Sequence, residues 1–273
     1  MEFLFYGLLG LIIGSFLNVL ILRHGVRALG GRSACVSCGQ GIAWHDLIPV
    51  WSWVVLRGRC RFCKARISLQ YPLVEGATAV MFLAIGLSPV AVSLKVFALP
   101  VAALFVAIAV YDLYYTIIPD AWVYTCAALS LVASLFAVWG SEDPYALPAA
   151  FFAGPLAAAP LFALWLVSGG RWMGLGDVKL ALSMGWLLGP VWGFGAVFFA
   201  FILGAVVSVP LLFFSSELWK RIEKFIKPYV WSLSPAGFTM QSEVPFGPFL
   251  IASCFFLWIL QMYGIQVPLF TFL

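Results

Sequence analysis

Apolar residues along this chain of 273 fall into long runs separated by short polar breaks. A helix needs about 20 consecutive apolar residues to cross the hydrocarbon core of a bilayer. Eight such runs stand near 3–22, 72–92, 95–111, 120–140, 146–168, 177–190, 191–214 and 246–267, the sixth of them short. The pattern predicts an all-α polytopic membrane protein with about eight transmembrane helices. One long polar stretch, 23–71, lies between the first and second helices. The chain therefore divides into a first transmembrane helix (1–22), an insert (23–71) and a membrane domain (72–273). No basic segment precedes the first run and no small-residue cleavage site follows it, so it reads as a membrane helix rather than a cleaved signal peptide.

Composition agrees with this division. Hydrophobic residues make up 64% of the chain and charged residues 10%, against nearly half apolar and a quarter charged in ordinary soluble domains. The net charge of +4 does not point to nucleic acid, because the bases lie in loops where membrane topology explains them. Arg23, Arg27, Arg32, Arg57, Arg59, Arg61, Lys64 and Arg66 fall in the insert. Alternating the spans puts Arg171, Lys220, Arg221, Lys224 and Lys227 on the same side, and Lys179 at the same end. Lys95 and the turn Glu142-Asp143-Pro144 fall opposite. The positive-inside rule then makes the basic side cytoplasmic and puts both termini outside. Leu218 to Tyr229 reads as a short amphipathic helix lying on anionic membrane lipid. Gly10 and Gly14 have the spacing that lets two membrane helices approach closely.

The insert carries Cys35-Val36-Ser37-Cys38 and Cys60-Arg61-Phe62-Cys63, with 21 residues between the pairs. Four thiols at this spacing match a tetrahedral structural zinc site. Cytoplasmic thiols stay reduced and available to metal, and a short loop-rich segment without a core gains from a metal staple. Two disulfides would be the competing use. A closed site of four cysteines leaves no open position for catalysis. Cys126 and Cys254 lie in apolar spans and read as packing residues.

Asp112 and Asp177 stand at the ends of apolar runs in a chain otherwise poor in acid, and the topology puts both at the cytoplasmic edge. Acids at the edge of hydrocarbon are costly and mark functional sites by default, though far less so than acids at its centre. Two adjacent carboxylates can share one proton and activate water, as in aspartic proteases. Gly174 and Gly176, just before Asp177, admit close backbone approach. Lys179, two residues further on, either acts on that carboxylate or snorkels to the interface. On charge alone the functional reading and a plain helix-end reading, with Asp177 as an N-cap, balance evenly. Asp120 reads as an N-terminal helix acid. Glu75 reads as a functional carboxylate or as a partner for a loop arginine. A proton-coupled transporter using Asp112, Asp177 and Glu75 stays open on these grounds, but no repeated halves with broken helices are visible.

An ordered set of motifs resembles the type IV prepilin peptidases, also called prepilin leader peptidase/N-methyltransferases. It runs through Gly14-Ser15-Phe16-Leu17-Asn18-Val19, the two cysteine pairs, Leu56-Arg57-Gly58 and Tyr71-Pro72-Leu73-Val74-Glu75. It continues through Asp112 to Asp120, Gly174-Leu175-Gly176-Asp177 and Pro245-Phe246-Gly247-Pro248. The resemblance implies a multi-pass inner-membrane aspartic protease of the G-x-G-D type with Asp112 and Asp177 as its catalytic pair, facing the cytoplasm. It implies prepilins or type II secretion pseudopilins as substrates, cut after a glycine just before an apolar helix. It implies S-adenosylmethionine as the donor for methylating the new N-terminus. Val36, Leu47 and Gln70 depart from the usual family residues at their positions, and none of them is a proposed ligand or catalytic carboxylate. No glycine-rich dinucleotide fingerprint is present, so a methyl-donor site must be of another kind.

Overall fold

The computed structural model describes residues 1–26, 28–213 and 245–265. Among them the protein is helical, with only two isolated β-bridges. Its helices are α1 (Glu2–Arg23), α2 (Trp51–Val55), α3 (Gln70–Gly86), α4 (Val92–Tyr115) and α5 (Asp120–Ala137). They continue with α6 (Ala146–Ser168), α7 (Leu175–Leu188), α8 (Pro190–Phe213) and α9 (Gly247–Met262). Each of the eight predicted apolar runs is a helix. Five of them, α1, α4, α5, α6 and α8, are long and apolar enough to cross a membrane. The 14 residues of α7 rise only about 21 Å, short of a hydrocarbon core of about 30 Å. The predicted amphipathic helix at 218–229 lies outside the described residues, as does Arg27.

Two compact units emerge: Met1–Leu83 with Pro210–Ser242, and Ala84–Val209 with Glu243–Leu273. The first therefore joins α1, the insert and most of α3. Its seam is glycine-lined. A Cβ at Gly10 would stand 2.6 Å from the Ala79 Cα, and one at Gly14 would stand 2.6 Å from the Glu75 Cα. Asn18 closes the same seam by donating to the Gly14 and Tyr71 carbonyls at 3.3 and 3.2 Å. Glu75 is buried and accepts the Val50 N–H at 2.7 Å, so its partner is loop backbone rather than an arginine. That bond helps hold Val50 at φ +59°, a rare setting for a β-branched residue.

In the second unit α7 packs against α5, α6 and α9. Small residues make this possible: the Gly185 position touches Ala153 and Ala157 of α6, and Trp186 donates to the Phe151 carbonyl at 2.9 Å. A short helix enclosed on three sides can bury a polar residue in its first turn, which is where Asp177 stands.

Candidate active site and metal centre

Asp112 lies inside the last turn of α4, not beyond its end. The helix continues four residues past the predicted boundary until Thr116 takes a left-handed conformation (φ +52°) and donates its N–H to the Asp112 carbonyl at 2.8 Å. Ile117, Ile118 and Pro119 bridge to α5, where Asp120 is the first helical residue as expected. Asp177 is the third residue of α7. The N-cap is Gly174, so Asp177 is not the N-cap but stands at the third helical position, where its carboxylate accepts the Gly174 N–H.

Both carboxylates are withdrawn from solvent, at 4% and 8% exposure, yet each lies within one turn of a helix end. Their charges are near enough to interact. The two segments meet around Ile118. A Cβ at Gly176 would stand 3.0 Å from the Ile118 Cβ, and one at Gly247 would stand 3.5 Å from its Cδ1. Gly247 also donates its N–H to Asp112 Oδ2 at 3.1 Å, and a Cβ there would meet the same oxygen at 2.6 Å. Gly247, at the start of α9, is thus a site residue that reading the chain for acids and bases missed. Its signal was the Pro245-Phe246-Gly247-Pro248 motif, to which no role could be attached from sequence. A Cβ at Gly174 would lie 3.8 Å from Asp177 Oδ2.

Lys179 points elsewhere. Its Nζ bonds Asp120 Oδ1 at 2.6 Å and sits 4.9 Å from the centre of the Tyr124 ring. It ties α7 to α5 beside the site, and the structure shows it bonded to Asp120 rather than to Asp177.

The four insert cysteines come together. Ala34 bridges to Gly41 and Arg59 to Arg66, closing a tight loop around each C-x-x-C pair. The loops repeat one pattern: Cys35 N–H to Gln40 O at 2.9 Å and Gly39 N–H to Cys35 O at 2.9 Å, then Cys60 N–H to Ala65 O at 2.8 Å and Lys64 N–H to Cys60 O at 3.1 Å. In each, the residue after the second cysteine is left-handed, Gly39 at φ +71° and Lys64 at φ +61°. The four sulfurs lie within 4.8 Å of one another, Cys35 and Cys63 at 3.8 Å, and none is in a disulfide. Backbone N–H groups of Cys38 and Ser37 pull the Cys35 thiol down to about 6, while, against the Ala65 N–H, desolvation and the three neighbouring thiols push Cys63 up to about 11, so without a metal the four thiols compete for protons. This set can hold a metal ion. Cys126 and Cys254 are fully buried, in keeping with packing roles.

Beside the knuckles, Arg61 grips Asp46 through two bonds, Nε to Oδ2 at 2.8 Å and Nη2 to Oδ1 at 2.6 Å. Those bonds hold the Asp46 carboxyl below the usual carboxylate range. The stabilisation is therefore present above the ordinary Asp range and is lost as pH falls through the lowered value. Trp53 supports the same region: its Nε1 donates to the Ile67 carbonyl at 3.2 Å, and its ring covers Gly58 so closely that a Cβ there would stand 2.8 Å away.

The comparisons with known proteins divide along the chain as the two sites do. The family model described as Bacterial Peptidase A24 N-terminal domain matches residues 8–88, which hold the four cysteines. The one described as Type IV leader peptidase family matches residues 99–209, which hold both aspartates. A Prepilin leader peptidase/N-methyltransferase of Pseudomonas putida is 30% identical over 95% of this chain and 90% of its own. The Type 4 prepilin-like proteins leader peptide-processing enzyme of Escherichia coli O78:H11 is 34% identical over 67% of this chain and 75% of its own. No solved structure gives a significant match. Likeness at this level across nearly the whole length places the chain in the type IV leader peptidase family.

Proposed function

We propose that this protein is a membrane aspartic endopeptidase that removes the basic leader from type IV prepilins or type II secretion pseudopilins, and that it also methylates the new N-terminus. What supports the peptidase reading is the burial of two carboxylates, Asp112 and Asp177, at the ends of α4 and α7, on segments that meet around Ile118 and Gly247. An aspartyl mechanism needs one carboxylate to take a proton from water and its protonated neighbour to donate to the scissile carbonyl oxygen. The pair then acts as one titrating unit. The Gly247 N–H holds Asp112 Oδ2 and fixes that carboxylate's orientation. Gly176 lets the start of α7 close onto Ile118, and Gly174 keeps the backbone beside Asp177 free of a side chain.

In the topology we favour, eight helices cross the bacterial inner membrane and the bases of the insert face the cytoplasm. A basic leader is retained on that side by the same rule, and the bond to be cut then lies at the interface where the ends of α4 and α7 lie. Helix-end carboxylates serve such a bond better than they serve a proton relay, which needs acids near the bilayer midplane.

Zinc is the metal that best suits the cysteine cluster. Zn–S bonds of about 2.3 Å in a tetrahedron set sulfur–sulfur edges of about 3.8 Å, and the Cys35–Cys63 separation is 3.8 Å. Cys35, Cys38, Cys60 and Cys63 would hold it, and a closed tetrathiolate ion supplies folding energy rather than chemistry. The methyl donor, S-adenosylmethionine, supplies the transferred methyl group.

The test is mass spectrometry of a prepilin incubated with the purified protein and S-adenosylmethionine. The expected product lacks its leader and carries one added methyl on the new N-terminus. A trimmed but unmethylated product would leave the peptidase alone, and an intact prepilin would end the proposal.

A further inference from the structure

The second cysteine knuckle borders a cavity of about 540 Å³ whose lining includes Arg57, Arg59, Arg61, Lys64, Val55 and Leu56. That volume lies within the range of small-ligand sites, roughly 300–1,000 Å³. Arg61 is committed to Asp46. Arg57, Arg59 and Lys64 are in no ion pair among the described residues. Between residues 32 and 66 the insert has six bases and one acid. Even with a doubly negative tetrathiolate zinc centre it stays basic, so neutralising the metal site does not account for the charge. A concave surface with unpaired cations concentrates anions.

The apolar side narrows the choice of anion. Val55 and Leu56 line the cavity itself. Val55 is more than half exposed, as are Trp51, Val54 and Phe62, which lie within a few residues of the cations in sequence. A basic leader peptide would be repelled by the cavity, and a free phosphate would leave the apolar side without a function. An anionic phospholipid satisfies both halves, with its phosphate among the cations and its upper acyl chain against the valines and aromatics.

We propose that this cavity binds the headgroup of an anionic phospholipid and so fastens the metal-binding insert to the membrane surface. The leaflet is the cytoplasmic one of the topology proposed above. Binding measured in detergent does not depend on that placement, so failure of this proposal and failure of the topology are separable.

The test uses the full chain in neutral detergent, titrated with a fluorescent short-chain phosphatidylglycerol, with phosphatidylcholine and inorganic phosphate as competitors. Three cations near a lipid phosphate should favour phosphatidylglycerol over phosphatidylcholine by about a hundredfold. That preference should vanish in an Arg57→Gln/Arg59→Gln/Lys64→Gln variant whose metal content is unchanged. A photoactivatable phosphatidylglycerol should label wild-type peptides within 51–64, which decides the matter if the variant loses its metal. Equal affinity for the two lipids, or labelling confined to other segments, would overturn the proposal. Complete displacement by millimolar phosphate would do so as well, by making the site one for a soluble anion.

Discussion

The cysteine insert and the aspartate site solve opposite problems. The insert is short, polar and poor in core. It is ordered by two local loops of one design, each completed within seven residues by hydrogen bonds such as Cys35–Gln40 and Cys60–Ala65. The aspartate site lies in a helical bundle with ample core, and its difficulty is the burial of charge. It assembles over long range, with Asp112, Asp177 and Gly247 brought together from three helices. In the proposed reading one region gains rigidity from a metal ion, and the other is held by packing and depends on the placement of two carboxylates.

Four changes separate these modes. Metal removal should have the largest effect and should be confined to one region. Structural zinc supplies about 10–16 kcal/mol of apparent binding energy, so Cys35→Ser should abolish metal binding and amide-exchange protection across 32–66. Leader cleavage should persist, as read by gel shift of a prepilin. Loss of cleavage in parallel with metal would mean that the two regions are not energetically distinct.

Gly247→Ala comes next. Its Cβ would stand 2.6 Å from Asp112 Oδ2, so the carboxylate must turn away and surrender its N–H bond. Misplacement of a reacting group by about 1 Å costs about a hundredfold in rate. Cleavage should fall by that factor, and stability should fall by about 1–3 kcal/mol because the buried carboxylate loses its N–H donor.

Asp120→Asn should do less. It removes the charge partner of Lys179, but Asp120 is 68% exposed, and exposed pairs are screened. Cleavage should drop by less than about fivefold. A larger loss would mean that the Lys179 cation, once released, acts on Asp177.

The smallest effect should be a gain. Lys64 occupies a left-handed position where its counterpart in the first loop is Gly39. An L-residue there costs roughly 1–2 kcal/mol, so Lys64→Gly should stabilise the insert by about 1 kcal/mol, seen as slower metal loss to a chelator.

What the sequence disclosed follows the same contrast. The cysteine cluster was readable because its ligands are local and their spacing is the geometry. The helices were readable as apolar runs, but their ends were not. The apolar pattern before Asp112 stops at Tyr111, whereas backbone hydrogen bonding carries α4 through Asp112-Leu113-Tyr114-Tyr115 to the left-handed Thr116. That shift changes Asp112 from a residue beyond a helix to one buried within its last turn. Asp177 reads from sequence as a possible N-cap because acids favour that position, but Gly174 takes it and places Asp177 as the third residue of the helix. The Val50–Glu75 bond and the Gly247–Asp112 bond use backbone N–H groups, which every residue but proline carries. No residue type announces them.

The central claim is that Asp112 and Asp177 work as one unit, and a three-variant rate comparison tests it most directly. Cleavage of one prepilin peptide is measured for purified Asp112→Asn, Asp177→Asn and the double variant. Groups that act together are strongly non-additive, so each single change should cost at least about a thousandfold, equivalent to some 4 kcal/mol of barrier. The double variant should be no slower than either single one. Near wild-type cleavage by either single variant, or losses that multiply in the double, would contradict the account.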